Sequence, residues 1–175
     1  RASEVVRNVR ALVKKEEPRE ESVDLNQAIR EVVHLLRGEA LLQEFSISLE
    51  LSPDLKRIRG DSSQLQQVIL NLILNSAAAM RNAPKDQRKI IVRTAMPGDG
   101  TVRASVTDFG TGFDESKIGR LFEPFYSTKP EGLGMGLAIS QRIVRAHGGT
   151  LEASNNREGG ATFSFSLPVP QGGDS

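Results

Sequence analysis

Asn71 and Asn75 lie one helical turn apart in Gln67-Val-Ile-Leu-Asn-Leu-Ile-Leu-Asn-Ser-Ala-Ala-Ala-Met80, a segment otherwise almost wholly apolar. At i and i+4 they share a face, with Gln64 and Gln67 extending the amide stripe, while Leu65, Val68, Ile69, Leu72 and Met80 follow the period of a core-packing helix. Amides in that setting suit a partner needing neutral oxygen ligands. A hard cation such as magnesium, carried in with phosphates, is one such partner.

Two glycine clusters follow. Asp108-Phe-Gly-Thr-Gly112 stands where an alternating strand (Val102, Ala104, Val106) runs out, so the sheet holds a carboxylate rigidly and the glycines let a ligand approach the backbone. An Asp before a glycine-rich turn is also a common turn-former. A D-F-G reading of protein-kinase type is excluded by the lack of an upstream G-x-G-x-x-G-x-V, a V-A-I-K and an H-R-D loop. Gly132-Leu-Gly-Met-Gly136 precedes a helix, whose backbone N–H groups and dipole can cradle phosphates. It is neither a Walker loop, lacking Gly-Lys-Ser/Thr, nor a dinucleotide fingerprint, lacking the preceding strand of a βαβ unit. Between the clusters, Phe122-Glu-Pro-Phe-Tyr-Ser-Thr-Lys129 reads either as a small hydrophobic cluster pinning a loop or as a lid hinge that offers Lys129 to phosphate.

The elements that must position these residues are those of a layered α/β domain. Capping boxes at Asp24/Gln27 and Asp61/Gln64 open helices, the first running to about Leu42, the second carrying the asparagines. Strands are predicted at 45–51, 89–95, 101–108, 150–154 and 161–167, and a further helix at 134–147. Residues 1–15 carry an amphipathic stripe (Val5, Val6, Val9, Leu12, Val13) that needs a covering partner. The run Glu16-Glu-Pro-Arg-Glu-Glu21 is the candidate linker. A boundary at 18 therefore separates a helix remnant from a domain over 19–168, with 169–175 as a flexible tail.

Composition closes off whole classes. With 23 Lys+Arg against 22 Asp+Glu in 175 residues, no charge excess points to nucleic acid or an anionic membrane. Zero cysteines exclude disulfides, thiolate zinc sites and cysteine nucleophiles. No apolar run approaches the roughly 18 residues of a membrane span, and no signal peptide is visible. The chain begins at Arg1, which predicts a fragment of a longer protein.

Taken in order, an amide helix, a strand ending in D-x-G-x-G, an aromatic segment, G-x-G-x-G opening a helix and a closing Gly159-Gly-Ala-Thr-Phe-Ser-Phe make a specific series. The chain resembles the ATP-binding catalytic domain of a sensor histidine kinase, of the superfamily shared with DNA gyrase B and the mismatch-repair ATPases, from about Asp24 to Pro168. The resemblance implies a Bergerat-type two-layer α/β sandwich, in which a mixed, mostly antiparallel sheet is covered by helices on one face. It implies that Asn75 coordinates the magnesium bridging the ATP phosphates, with Asn71 assisting. Asp108 would accept from the adenine amine, Gly110 and Gly112 would shape the pocket, and Thr162 would support the adenine through water. Gly132, Leu133, Gly134 and Gly136 would line the phosphates, with Lys129 as a further contact. Hydrolysing relatives carry a glutamate where this chain has Asn71. An amide abstracts a proton poorly, so transfer to an acceptor other than water is favoured.

The chain departs from the family pattern at Ala77-Ala-Ala79, where some members carry a basic phosphate contact, and in a short lid like that of the nitrogen-regulatory and oxygen-sensing members. His34 and His147 are its only histidines, and neither has the context of a phosphoacceptor. Residues 1–15 then resemble the end of a dimerisation helix. The implied partners are that dimerisation and phosphoacceptor domain, in a homodimer of the full-length protein, and the receiver domain of a response regulator; nucleic acid is not among them. The implied setting is a cytoplasmic domain. The alternatives are a serine kinase of the anti-sigma type, whose members usually lack the preceding dimerisation helix, and a silent nucleotide-binding signalling module.

Overall fold

The computed structural model describes residues 19–38, 44–124 and 136–171. Two aspartates start two of its helices. Asp24 accepts from the N–H of Gln27 at 3.1 Å and opens α1, Leu25–Arg37; Asp61 accepts from the N–H of Gln64 at 3.2 Å and opens α2, Ser62–Ala79. Each carboxylate satisfies a donor that the first helical turn cannot. The third helix, α3, is Gly136–Ala146. The sequence period carries α1 on to Leu42, but the helix ends at Arg37, where Gly38 turns its N–H back to the carbonyls of Leu35 and Leu36. Glycine is a poor helix former, and the short bond to Leu35 tightens the last turn.

The strands, in chain order, are β1 (Glu21–Val23), β2 (Ser46–Glu50), β3 (Ile58–Gly60), β4 (Lys89–Ala95), β5 (Thr101–Asp108), β6 (Thr150–Asn155) and β7 (Ala161–Pro168). Among the described residues five of them form one sheet in the order β2-β4-β5-β7-β6, parallel only between β2 and β4. This is the mixed, mostly antiparallel sheet expected, and the helices pack on it as a second layer. β1 and β3 pair separately, Glu21 opposite Gly60 and Val23 opposite Ile58, an element absent from the sequence reading. Glu21, read as the end of a linker, is its first residue. At the other end Val169, assigned above to the tail, packs against the core and donates its N–H to Gly100.

The pleat sorts the sheet's residues into two faces. Ile90, Val92, Val102, Ala104, Val106, Phe163, Phe165 and Leu167 are buried beneath the helices, whereas Arg103, Ser105, Ser164 and Ser166 occupy the other face. α2 is the central helix, packed against α1 and α3 and lying over β4 and β5. A helix enclosed on several sides has no use for a polar outer face, and Leu65, Val68, Ile69, Leu72 and Ile73 are all essentially inaccessible. Its few polar residues therefore need a specific reason to be there. Within the described residues no helix is long and apolar enough to cross a membrane.

Phe165 is the largest side chain with almost no exposure and sits mid-strand on β7. Its truncation to alanine should cost about 3–5 kcal/mol, read as a lowered urea midpoint with an unchanged m-value.

Candidate functional site

The amide stripe of α2 faces α3. Asn71 is 8% exposed and donates its side-chain nitrogen to Gly136 O and to Ser140 Oγ, both at 3.3 Å. It thereby ties the middle of α2 to the first turn of α3. Both bonds use the amide nitrogen and neither uses Oδ1. Asn75, one turn on, is half-buried. Gln67, one turn earlier, is buried, and its Nε2 has no hydrogen-bond acceptor among the described residues. At the far end of the same seam His147 Nε2 accepts from the backbone N–H of Asp61 at 3.0 Å, and Nδ1 lies 2.8 Å from Ile143 O. Nδ1 therefore donates and Nε2 accepts, the neutral tautomer. His147 thus joins the end of α3 to the start of α2. His34 is exposed on α1.

Asp108 is the last residue of β5 and has no exposure. Its Oδ1 accepts from the N–H of Gly110 at 2.9 Å and of Ala161 at 3.2 Å. A carboxylate so buried is tolerable only with such compensation. The second bond requires β7 to begin hard against Asp108, and Gly160 makes this possible. It has φ +84°, and a Cβ there would lie 2.2 Å from the Asp108 carbonyl oxygen. No L side chain fits that space or favours that angle.

The loop after Asp108 leans on α2. Phe109 donates its N–H to Met80 Sδ at 3.5 Å, and a Cβ on Gly110 would stand 2.5 Å from Ala79 O. The expected pocket glycine is thus first a contact glycine, pressing the loop onto the end of the asparagine helix. On the opposite side the loop meets the turn between β6 and β7. Asn155 Oδ1 accepts from Phe113 N at 3.0 Å, and its Nδ2 donates to Phe113 O at 2.6 Å. Asn156 donates to Asp108 O at 3.0 Å. Neither asparagine stood out in the sequence. The one available clue was Asn-Asn followed by Gly-Gly, a turn signature that says nothing about what the side chains reach.

Thr162 lies on the other face of the sheet. On β7 it faces away from Phe163 and the core, paired with Thr107, whose Oγ1 lies 2.9 Å from its own. Asp108, the residue after Thr107, points to the opposite face by the pleat. Ala161, through its backbone, is the β7 neighbour of the carboxylate. The Thr162 hydroxyl donates to Asn156 Oδ1 at 2.6 Å and so supports the turn.

Asn71 thus meets Gly136 where the middle of α2 faces the start of α3, and Asp108 with Gly110 lies by the end of α2, one turn beyond Asn75. Lys129, Gly132, Leu133 and Gly134 lie outside the described residues. Asp114 caps the 3₁₀ turn Glu115–Arg120 that leads toward that segment. The hydroxyl and then the amide of Ser116 hold its carboxyl below the usual carboxylate range. A lowered value means the cap is complete above that range and is lost as pH falls through it.

Comparison with known proteins places these features in a common frame. The family described as "Histidine kinase-, DNA gyrase B-, and HSP90-like ATPase" matches residues 60–171. Sensor histidine kinase ZraS of Klebsiella oxytoca is 38% identical over 169 residues, 97% of this chain and 36% of that protein. The chain thus spans well under half the length of this curated relative. Among solved structures, a mycobacterial sensor histidine kinase, MprB, superimposes with a TM-score of 0.75 at 26% identity, covering 87% of this chain and all of that one. Full-length ShkA, solved in complex with AMPPNP, gives 0.74 at 28% identity, over 94% of this chain and 34% of that one.

Replacing Gly110 by alanine forces the loop off Ala79. The expected cost is about 1–3 kcal/mol of stability, measured by urea denaturation, with Gly119→Ala as the control because nothing lies within 4 Å of a Cβ there.

Proposed function

We infer, for a chain that belongs to the histidine kinase-, DNA gyrase B- and HSP90-like ATPase family, that it binds magnesium-ATP and presents the γ-phosphoryl to a histidine on a dimerisation domain. Relay to an aspartate of a response regulator would follow. The observation that carries this reading is the placement of Asp108. It is a fully buried carboxylate, aimed by two backbone N–H groups, one short loop from the helix that bears Asn71 and Asn75. A carboxylate there accepts from an exocyclic amine and repels a carbonyl, so it favours adenine over guanine. The AMPPNP held by ShkA is the nucleotide precedent.

The residues present fit a divalent cation. Asn71 commits its amide nitrogen to α3 and keeps a neutral oxygen for a ligand, and Asn75 offers another amide one turn away. Among the described residues no three of His, Cys, Asp or Glu lie together as a protein-built metal cage. That suits magnesium, which favours one or two protein ligands plus phosphates and water. Asn75 and Asn71 would hold it, and when bound it would neutralise phosphate charge. Gly132, Leu133, Gly134, Gly136 and Lys129 are proposed to line the phosphates.

The chain's own contribution is positioning. Phosphoryl transfer needs an aligned acceptor and compensated charge more than covalent help from the protein. At Asn71 an amide replaces the group that would take a proton from water, and its bonds to Gly136 and Ser140 fix where α3 begins. The nucleotide is thereby held without an activated water, available to an incoming imidazole. Residues 1–18 are proposed as the end of the dimerisation helix and its linker.

The chain, given magnesium-ATP and a separately supplied dimerisation domain, should form an acid-labile phosphohistidine on that domain. An acid-stable phosphoserine, or binding without transfer, would contradict the proposal. Asn75→Ala should abolish most of the magnesium-dependent part of ATP affinity. Asp108→Asn should shrink the preference for ATP over GTP by about tenfold or more, the loss of one charged hydrogen bond. Both are read by calorimetric titration.

A further inference from the structure

The end of β6 and the turn that follows it do more than connect two strands. Asn155 closes a two-bond ring with the backbone of Phe113, accepting from its N–H and donating to its carbonyl. This is the pairing a further strand residue would make, supplied by a side chain. Gly112 is fitted to it: its φ is +72°, and a Cβ there would lie 2.6 Å from Asn155 Oδ1. Next along, Asn156 Nδ2 grips the Asp108 carbonyl, while its Oδ1 is held by the Thr162 hydroxyl, itself bonded to Thr107. The aromatic ring of Phe113 packs against Phe163, with ring centroids 6.3 Å apart. Residues 109–113 are therefore clamped between two rigid bodies, Ala79 and Met80 of the asparagine helix on one side and the asparagine turn on the other.

We propose that Asn155 is a positioning residue for nucleobase recognition: through Phe113 it sets the path of the loop that carries Gly110, whose N–H aims the Asp108 carboxylate. The proposal rests on the reading that Asp108 meets the base. Its physical basis is directness. Asp108 Oδ1 has two donors, and one of them, Gly110 N–H, belongs to the loop that Asn155 holds. Releasing Phe113 lets this donor wander, and the carboxylate loses one of the donors that hold Oδ1. Pre-organised groups lose effect steeply when misplaced, because a displacement of about 1 Å can cost on the order of a hundredfold. Thr162 acts in the same device from the outer face, by fixing Asn156. This accounts for a threonine at that position without placing its hydroxyl beside the base.

The test uses the 175-residue chain with ATP and GTP as probes. Their dissociation constants are measured with magnesium for wild type, Asn155→Ala and Asn155→Ser, and amide hydrogen exchange is followed at Phe113 and Gly110. Asn155→Ala should weaken ATP binding about tenfold and narrow the ATP-over-GTP preference by a similar factor. Exchange at Phe113 and Gly110 should quicken while the β5–β7 ladder keeps its protection. Asn155→Ser, with a shorter side chain that reaches less well, should fall between, and it carries the same criterion if the alanine variant does not fold. Faster loop exchange with wild-type affinity and wild-type base preference would overturn the proposal and leave Asn155 a structural clamp. A wild type that bound ATP and GTP equally would overturn the base reading itself, a failure visible before any variant is made.

Discussion

The structure turns on one buried carboxylate. Asp108 has no exposure, and an unpaired charge in that position would be prohibitive. It is tolerated because two backbone N–H groups converge on one oxygen, from the loop that follows it and from the first residue of β7. Each bond imposes a condition on the chain. The loop must turn back within two residues, and β7 must start in contact with the Asp108 carbonyl, where only glycine fits at position 160. The glycines at the end of β5 and the start of β7 are thus parts of one arrangement, separated by some fifty residues of sequence and joined by a side chain.

The same logic governs the helices. α2 is enclosed by apolar contacts, so its polar side chains stand out by their cost. Asn71 offsets its burial through bonds to Gly136 and Ser140, and in doing so couples the asparagine helix to the start of α3. His147 closes the other end of the seam on Asp61. Gln67, between them, has no acceptor for Nε2 among the described residues. A seam tied by polar bonds at both ends keeps α3 in register with α2 more specifically than apolar contact alone, since hydrogen bonds have direction and dispersion does not. The groups proposed to meet phosphate and those proposed to meet the base are therefore mounted on one framework.

What could be read from sequence divides by range. The helix starts at Asp24 and Asp61 were legible because a cap and its partner are three residues apart, and the five sheet strands because alternation is local. The β1–β3 pair was not legible, since three residues carry no period and Glu21 meets Gly60 across the intervening helix and strand. Asn155 and Asn156 were invisible for a related reason. Their composition announces a turn, but their partners, Phe113 and Asp108, lie more than forty residues away.

Thr162 marks the boundary more sharply, because its position within a motif does not say which face of the strand it takes. On a strand a single step reverses the face. Thr162 shares a face with Ser164 and Thr107, and Ala161 shares one with Asp108, so a reading that places both Asp108 and Thr162 against one ligand needs the pleat to fail between them. The sheet keeps its register through that point, with Thr107 opposite Thr162 and Val106 opposite Phe163. What β7 brings to the Asp108 carboxylate is the backbone N–H of Ala161, at 3.2 Å. The bond uses only the backbone of Ala161, whose methyl group is buried in the core. The requirement falls instead on glycine at 160 and on the asparagines that hold the turn.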